Sequence, residues 1–159
     1  MARRAFFSFH HKRDVWRAGV VRNSWVTKDR ESAGFWDAAE WEEVKKKDTA
    51  SIHKWIDDQM SGTSVTVVLI GAQTAQREHV KYEIEQSHSK GKGMLGVYIH
   101  SIKDSSGNTD TKGTNPFSSF NFKDKDGNVV TYPTYDWATD KGHDNLGTWI
   151  EAAAKKAGR

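Results

Sequence analysis

The residues of this sequence best placed to do chemistry are two carboxylates, Glu83 and Glu85, in the run VKYEIEQS. Their spacing decides which chemistry is open. Two residues of α-helix is about 200° of rotation, so the pair cannot act together on one substrate atom. A single carboxylate remains. Glu83 stands at i+3 from Val80 and borders the apolar stripe of Val80 and Ile84, whereas Glu85 falls toward solvent. Glu83 is therefore the candidate, and a lone carboxylate is suited to steadying positive charge that develops on a substrate. Other site types are excluded or disfavoured. His10 and His11 are adjacent on an extended segment and point to opposite sides, which is poor geometry for one metal, and the chain has no cysteine. No GxxxxGK or GxSxG pattern occurs, so neither a phosphate loop nor a serine nucleophile elbow is expected.

The elements that must position Glu83 follow from hydrophobic pattern. Ser64 to Ile70, SVTVVLI, is dense in apolar and β-branched residues, as a strand buried on both faces requires. Gly71 breaks it, a polar turn follows, and from about Arg77 the spacing becomes helical. Upstream, Arg4 to Phe9 predicts a first strand. A first helix begins at Asp14 as N-cap, and Thr27 to Ser32 reads as a loop before a brief strand at Gly34 to Asp37. Asp48 or Thr49 caps a helix running to Met60, with Ile52, Trp55, Ile56 and Met60 as its stripe. Downstream come a strand at Met94 to Ile99 and a long polar loop from Ser101 to Phe122. A turn at Asp126 to Asn128, an edge strand in VVTYPTY and a terminal helix from His143 to Ala157 complete the order.

Strands alternating with helices predict a parallel sheet covered on both faces. Such sheets bind ligands at the carboxyl ends of their strands, near the switch point. That rule alone selects Phe9 and His10, Asp37, and the stretch Gly71 to Thr74, with Glu83 facing the same crevice.

The whole chain bounds the reading further. At 159 residues it suits a single domain, 1–159, that buries roughly 70% of its unfolded surface. Its 24 basic residues against 21 acidic ones are scattered, so no nucleic-acid stripe is expected. No apolar run approaches the roughly 18 residues that span a bilayer, and the expectation is a soluble, cytoplasmic protein. Of seven tryptophans spread along the chain, most are expected in the core.

The pieces FFSFHH, VVRNSWVTK, FWDAAEWEE, TSVTVVLIGAQT, VKYEI and GTNPF run in one order from residue 4 to about 120. Together they resemble a TIR domain, and more narrowly the TIR-like proteins of bacterial Thoeris anti-phage systems, the ThsB type. The resemblance implies an α/β, flavodoxin-like fold of about five parallel strands with helices on both faces. It implies cleavage of NAD+ at the nicotinamide–ribose bond, with NAD+ as substrate and no cofactor or metal. The product would be an ADP-ribose-derived, often cyclic, signal for a separate effector. The glutamate of the family's YEI segment matches Glu83. Phe6, Ser8 and His10 are placed near the nucleotide, Asp37 and Trp41 in the segment after the second strand, and Asn115 of GTNPF as a loop contact; Thr74 enters from the strand-end rule. Bland roles compete: Phe6 as core, Ser8 and Thr74 as partners of strand-end backbone, Asp37 as a helix cap. His79 departs from the family, which usually has tryptophan there. The same resemblance admits activation by a phage-derived trigger and self-assembly. It leaves two alternatives, a non-catalytic TIR module that works by assembly and a nucleoside-processing hydrolase on this fold.

Overall fold

The structure, a computed structural model, describes residues 4–26, 31–33 and 43–159, with backbone alone at 26 and 31–33. Its centre is β3 (Val65–Ile70), every residue of which is buried. β1 (Arg4–Ser8) pairs with it in parallel on one side, and β4 (Gly93–Tyr98) on the other. β2 (Glu31–Ala33) lies outside β1 and β5 (Thr134–Asp136) outside β4, giving the parallel order β2-β1-β3-β4-β5. This is the flavodoxin-like arrangement, and its switch point falls between β1 and β3.

Side chains that alternate along the strands meet different helices on the two faces. Phe7, Phe9, Val67 and Leu69 pack with Ala18, Val21 and Trp25 of α1 (Val15–Val26) and with Leu146 and Ile150 of α4 (Gly142–Lys156). On the opposite face Phe6 packs on Ile56 and Met60 of α2 (Thr49–Met60), while Val68 and Ile70 meet Val80 and Ile84 of α3 (Glu78–Ser89). Each fully buried Val, Leu or Ile of β3 is worth about 1.5–3 kcal/mol, which is why a strand covered twice shows no polar alternation.

Several boundaries differ from the sequence reading. The second strand occupies Glu31–Ala33, beginning within the Thr27 to Ser32 loop and ending just before Gly34, because pairing with β1 fixes it there. The aromatic run Gly34 to Asp37 lies outside the described residues. The edge strand starts after Pro133, which has no N–H to give a ladder, and whose carbonyl instead accepts from Gly96 N at 2.9 Å. Asp14 stands at the cap position, since Ala18 N bonds its carbonyl, but its side chain turns inward instead of capping. Asp48 does cap α2, accepting from Ser51 N at 2.7 Å. Trp25 and Trp149 are buried, but Trp16 is 56% exposed; Trp36 and Trp41 lie outside the described residues. The long loop after β4 is pinned to α1: Arg13 makes a bidentate pair with Asp110, and Arg17 donates to the carbonyls of Ile102 (2.6 Å) and Asn108 (2.8 Å). No described helix is long and apolar enough to cross a membrane.

Two glycines predict opposite outcomes. A Cβ on Gly93 would stand 2.6 Å from the carbonyl oxygen of Ala153, a backbone atom of α4 that cannot swing aside. Gly93→Ala is expected to cost about 1–3 kcal/mol. A Cβ on Gly19, within α1, meets nothing within 4 Å, so Gly19→Ala is expected to gain about 0.5–1 kcal/mol. Denaturant titration of both variants checks the contrast, and equal effects would contradict this packing.

Candidate active site

α3 lays Val80 and Ile84 on the sheet, and the same rotation carries Glu83 inward to the carboxyl end of β1. Glu83 is 0% exposed, while Glu85 faces solvent. The last residue of β1, Ser8, shares the α2 and α3 side of the strand with Phe6, and its Oγ donates to Glu83 Oε1 at 2.7 Å. Glu83 Oε2 is buried with no hydrogen-bond partner among the described residues. Burial pushes this carboxyl up to about 8, against the opposing pull of the Ser8 hydrogen bond. The resting group is therefore a neutral acid that a nearby cation would ionise.

The chain leaving β1 forms one wall of the site. Phe9 and His11 lie with ring centroids 4.1 Å apart, and His79 continues the row at 5.4 Å from His11. His79 is one helical turn before Glu83 and on the same buried side. Burial holds its imidazole down at about 4, so it is neutral, and its Nε2–H donates to the Phe9 carbonyl at 3.0 Å. His79 thus makes an aromatic contact and a bond that ties α3 to the end of β1.

The second wall follows β3. Thr74 Oγ1 accepts from Gly71 N at 2.8 Å, closing the turn. A Cβ on Gly71 would fall 2.1 Å from Asp14 Oδ2, and one on Gly113 would fall 2.0 Å from the Gly71 carbonyl. Glycine at both positions is what lets Asp14 and the GTNPF loop close over the end of β3. Asp14 is 0% exposed, and burial pushes it up to about 6.

The residues selected from sequence divide accordingly. Ser8 and Glu83 touch. His10 is buried at the same strand end, where its Nδ1 accepts from Arg13 N at 3.2 Å. Phe6 is core: it is fully buried against Ile56 and Met60, because residue 6 lies mid-strand under two helices. Thr74 spends its hydroxyl on the turn, and Asn115 accepts from Phe117 N at 2.9 Å as a cap, although its loop does lie against the β3 turn. Asp37 and Trp41 lie outside the described residues. Asp14, which reads as a helix cap in the sequence, is instead buried against the turn after β3. His79 was legible from its i−4 relation to Glu83. Among the described residues no group of three or more His, Cys, Asp or Glu is arranged to hold a metal ion.

The raised Glu83 carboxyl predicts a pH signature. Its proton is held more tightly in the fold than in the unfolded chain, so the stability it contributes is complete below about 4.5 and is lost as pH rises toward about 8. Glu83→Gln keeps an acceptor for Ser8 but cannot ionise. The difference in unfolding free energy between the two proteins is expected to shift toward Gln across this window, with a slope approaching ~1.4 kcal/mol per pH unit. Chemical denaturation from pH 4 to 9 measures it. Parallel curves would mean that Glu83 is not desolvated.

Comparison with known proteins places this geometry. Residues 6–104 match the family described as Thoeris protein ThsB, TIR-like domain. The chain is 34% identical over 191 aligned positions, covering 94% of this chain and 100% of the relative, to a protein of Bacillus cereus (strain MSX-D12) named "Putative cyclic ADP-D-ribose synthase ThsB1". A family match over more than half of the chain and a full-length relative agree: this chain belongs to the TIR-like family of Thoeris protein ThsB.

Proposed function

We propose that this protein cleaves NAD+ at the nicotinamide–ribose bond and closes the remaining ADP-ribose unit into a cyclic signal that activates a separate effector in anti-phage defence. The observation that carries the reading is the fully buried Glu83 carboxyl held by Ser8 where β1 ends, in a chain whose relative is named for cyclic ADP-D-ribose synthesis.

The chemistry asks for little else. Nicotinamide is cationic while bonded to ribose and leaves neutral with the electron pair of the C–N bond, so no general acid is needed. The pyridinium ring brings positive charge beside Glu83 and favours its ionised form. As the bond breaks, charge moves to the ribose, and the carboxylate steadies it at close range in a site without water to screen it. Ser8 fixes Oε1, which leaves Oε2 for a ribose hydroxyl. A nitrogen or oxygen of the same nucleotide then forms the new bond to the ribose carbon, and any proton it sheds passes to Glu83. Capture by water would give linear ADP-ribose instead, and the complete burial of Glu83 favours the cyclic route.

Purified protein incubated with NAD+ is expected to release nicotinamide, with a nucleotide product of cyclic mass by mass spectrometry. Glu83→Gln is expected to reduce that release by at least ~10²-fold with its thermal transition retained. Ser8→Ala is expected to lower kcat roughly tenfold, by freeing the carboxyl to rotate. Undiminished turnover by Glu83→Gln would remove the carboxyl from the reaction.

A further inference from the structure

Beside the crevice, between α2 and the first turns of α3, lies a groove of about 630 Å³, a size that suits a nucleotide fragment. Arg77, the residue that enters α3, lines it together with the cations Lys45 and Lys81, the carboxylates Glu78 and Glu85, and His79. His79 belongs to both places: it lines the groove and bonds the Phe9 carbonyl, one residue past Ser8.

Arg77 differs from Arg13 and Arg17. Arg13 and Arg17 are fully engaged with Asp110 and with loop carbonyls. The backbone of Arg77 is bonded in the turn and helix, but its guanidinium makes no hydrogen bond or ion pair with any described residue, and its Nε is buried without a partner. A buried guanidinium N–H left unmade is costly, and native structures keep such groups chiefly where something else supplies the acceptor. The charges felt by the histidines of the site are one-sided. The charges acting on His10, His11 and His79 come from Arg77, Arg13, Lys12, Lys45 and the histidines themselves, all positive when charged, with no carboxylate among them. Glu78 and Glu85 lie on the solvent-facing margin of the groove: both are exposed, and Glu78, its side chain 93% exposed, lies 3.9 Å from Lys81.

We propose that Arg77 binds the diphosphate of a dinucleotide substrate, and that the groove beside it, with Lys45 and Lys81 at its margins, takes the phosphate-bearing part of the molecule while the reacting ribose lies against Glu83. This rests on the reading above that NAD+ is the substrate. A guanidinium offers a planar fork of N–H donors that matches two phosphate oxygens, which an ammonium does not. Charge also sorts the ends of the substrate. The pyridinium is repelled from the guanidinium of Arg77 and drawn to the carboxyl, while the diphosphate goes the other way, so NAD+ enters in one orientation with its scissile bond at Glu83. Arg77 is thus a binding residue that sets orientation.

The test is calorimetric titration of ADP-ribose into wild-type protein, Arg77→Gln and Arg77→Lys, with NAD+ kinetics on the same three. Because Arg77 supports no internal bond, Arg77→Gln is expected to keep the wild-type thermal transition, so a changed affinity is not a folding effect. Arg77→Gln is expected to weaken ADP-ribose at least ~10-fold and to raise KM for NAD+ by roughly 10–100-fold, with kcat changed by less than about threefold. Arg77→Lys should recover part of the affinity as a point charge. Unchanged ADP-ribose affinity in Arg77→Gln, or no binding of ADP-ribose to the wild-type protein, overturns the proposal. The two readings fail separately. NAD+ cleavage with a KM indifferent to residue 77 removes the role of Arg77 and leaves the enzyme. ADP-ribose binding that depends on Arg77, without nicotinamide release, removes the enzyme and leaves the anion site.

Discussion

A carboxyl group cut off from water must find donors or give up its charge, and Glu83 does some of each. Ser8 satisfies one oxygen across the gap between β1 and α3, and burial keeps the group neutral until something positive arrives. That single bond joins residues 75 apart in the chain. It requires β1 to end at residue 8, α3 to seat Val80 and Ile84 on the sheet, and β3 to hold the two elements at the right separation. The sheet order is what meets those requirements, since β1 and β3 are neighbours at the point where the topology reverses.

The surroundings of this bond are built to stay closed. His79 ties α3 to the Phe9 carbonyl, Thr74 closes the turn after β3, and Gly71 and Gly113 allow Asp14 and the GTNPF loop to approach backbone closely. On the far side, Arg13 and Arg17 hold the polar loop after β4 onto α1. Such closure has an electrostatic consequence. With little water to screen it, a cation reaching Glu83 interacts with it strongly, and an anion reaching the cluster of Arg77 and the histidines does likewise. The two ends of the site therefore differ: one holds a carboxyl that ionises beside a cation, the other the guanidinium of Arg77.

Much of this was legible in the sequence, for a local reason. Hydrophobic period separates strands from helices, and it correctly located β1, β3, β4, α2, α3 and α4 and put Glu83 rather than Glu85 on the inner side of its helix. It failed where period is short or competing signals coincide. Three residues of β2 carry no readable pattern, so GFWD drew the assignment downstream. Asp14 looked like a cap because cap residues and buried carboxyls use the same amino acid.

The sequence by itself determined the order of elements, the parallel layered architecture and the isolation of one carboxylate on one helix, because these depend on spacing between near neighbours. Only the tertiary structure decided that Ser8 is the partner of that carboxylate, that Phe6 is core, that Asn115 caps its own turn, and that the Arg77 guanidinium has no partner among the described residues. Hydrogen bonds and unmet donors are relations between residues far apart in the chain, and no local pattern encodes them. They exist only once packing has fixed which strand end faces which helix.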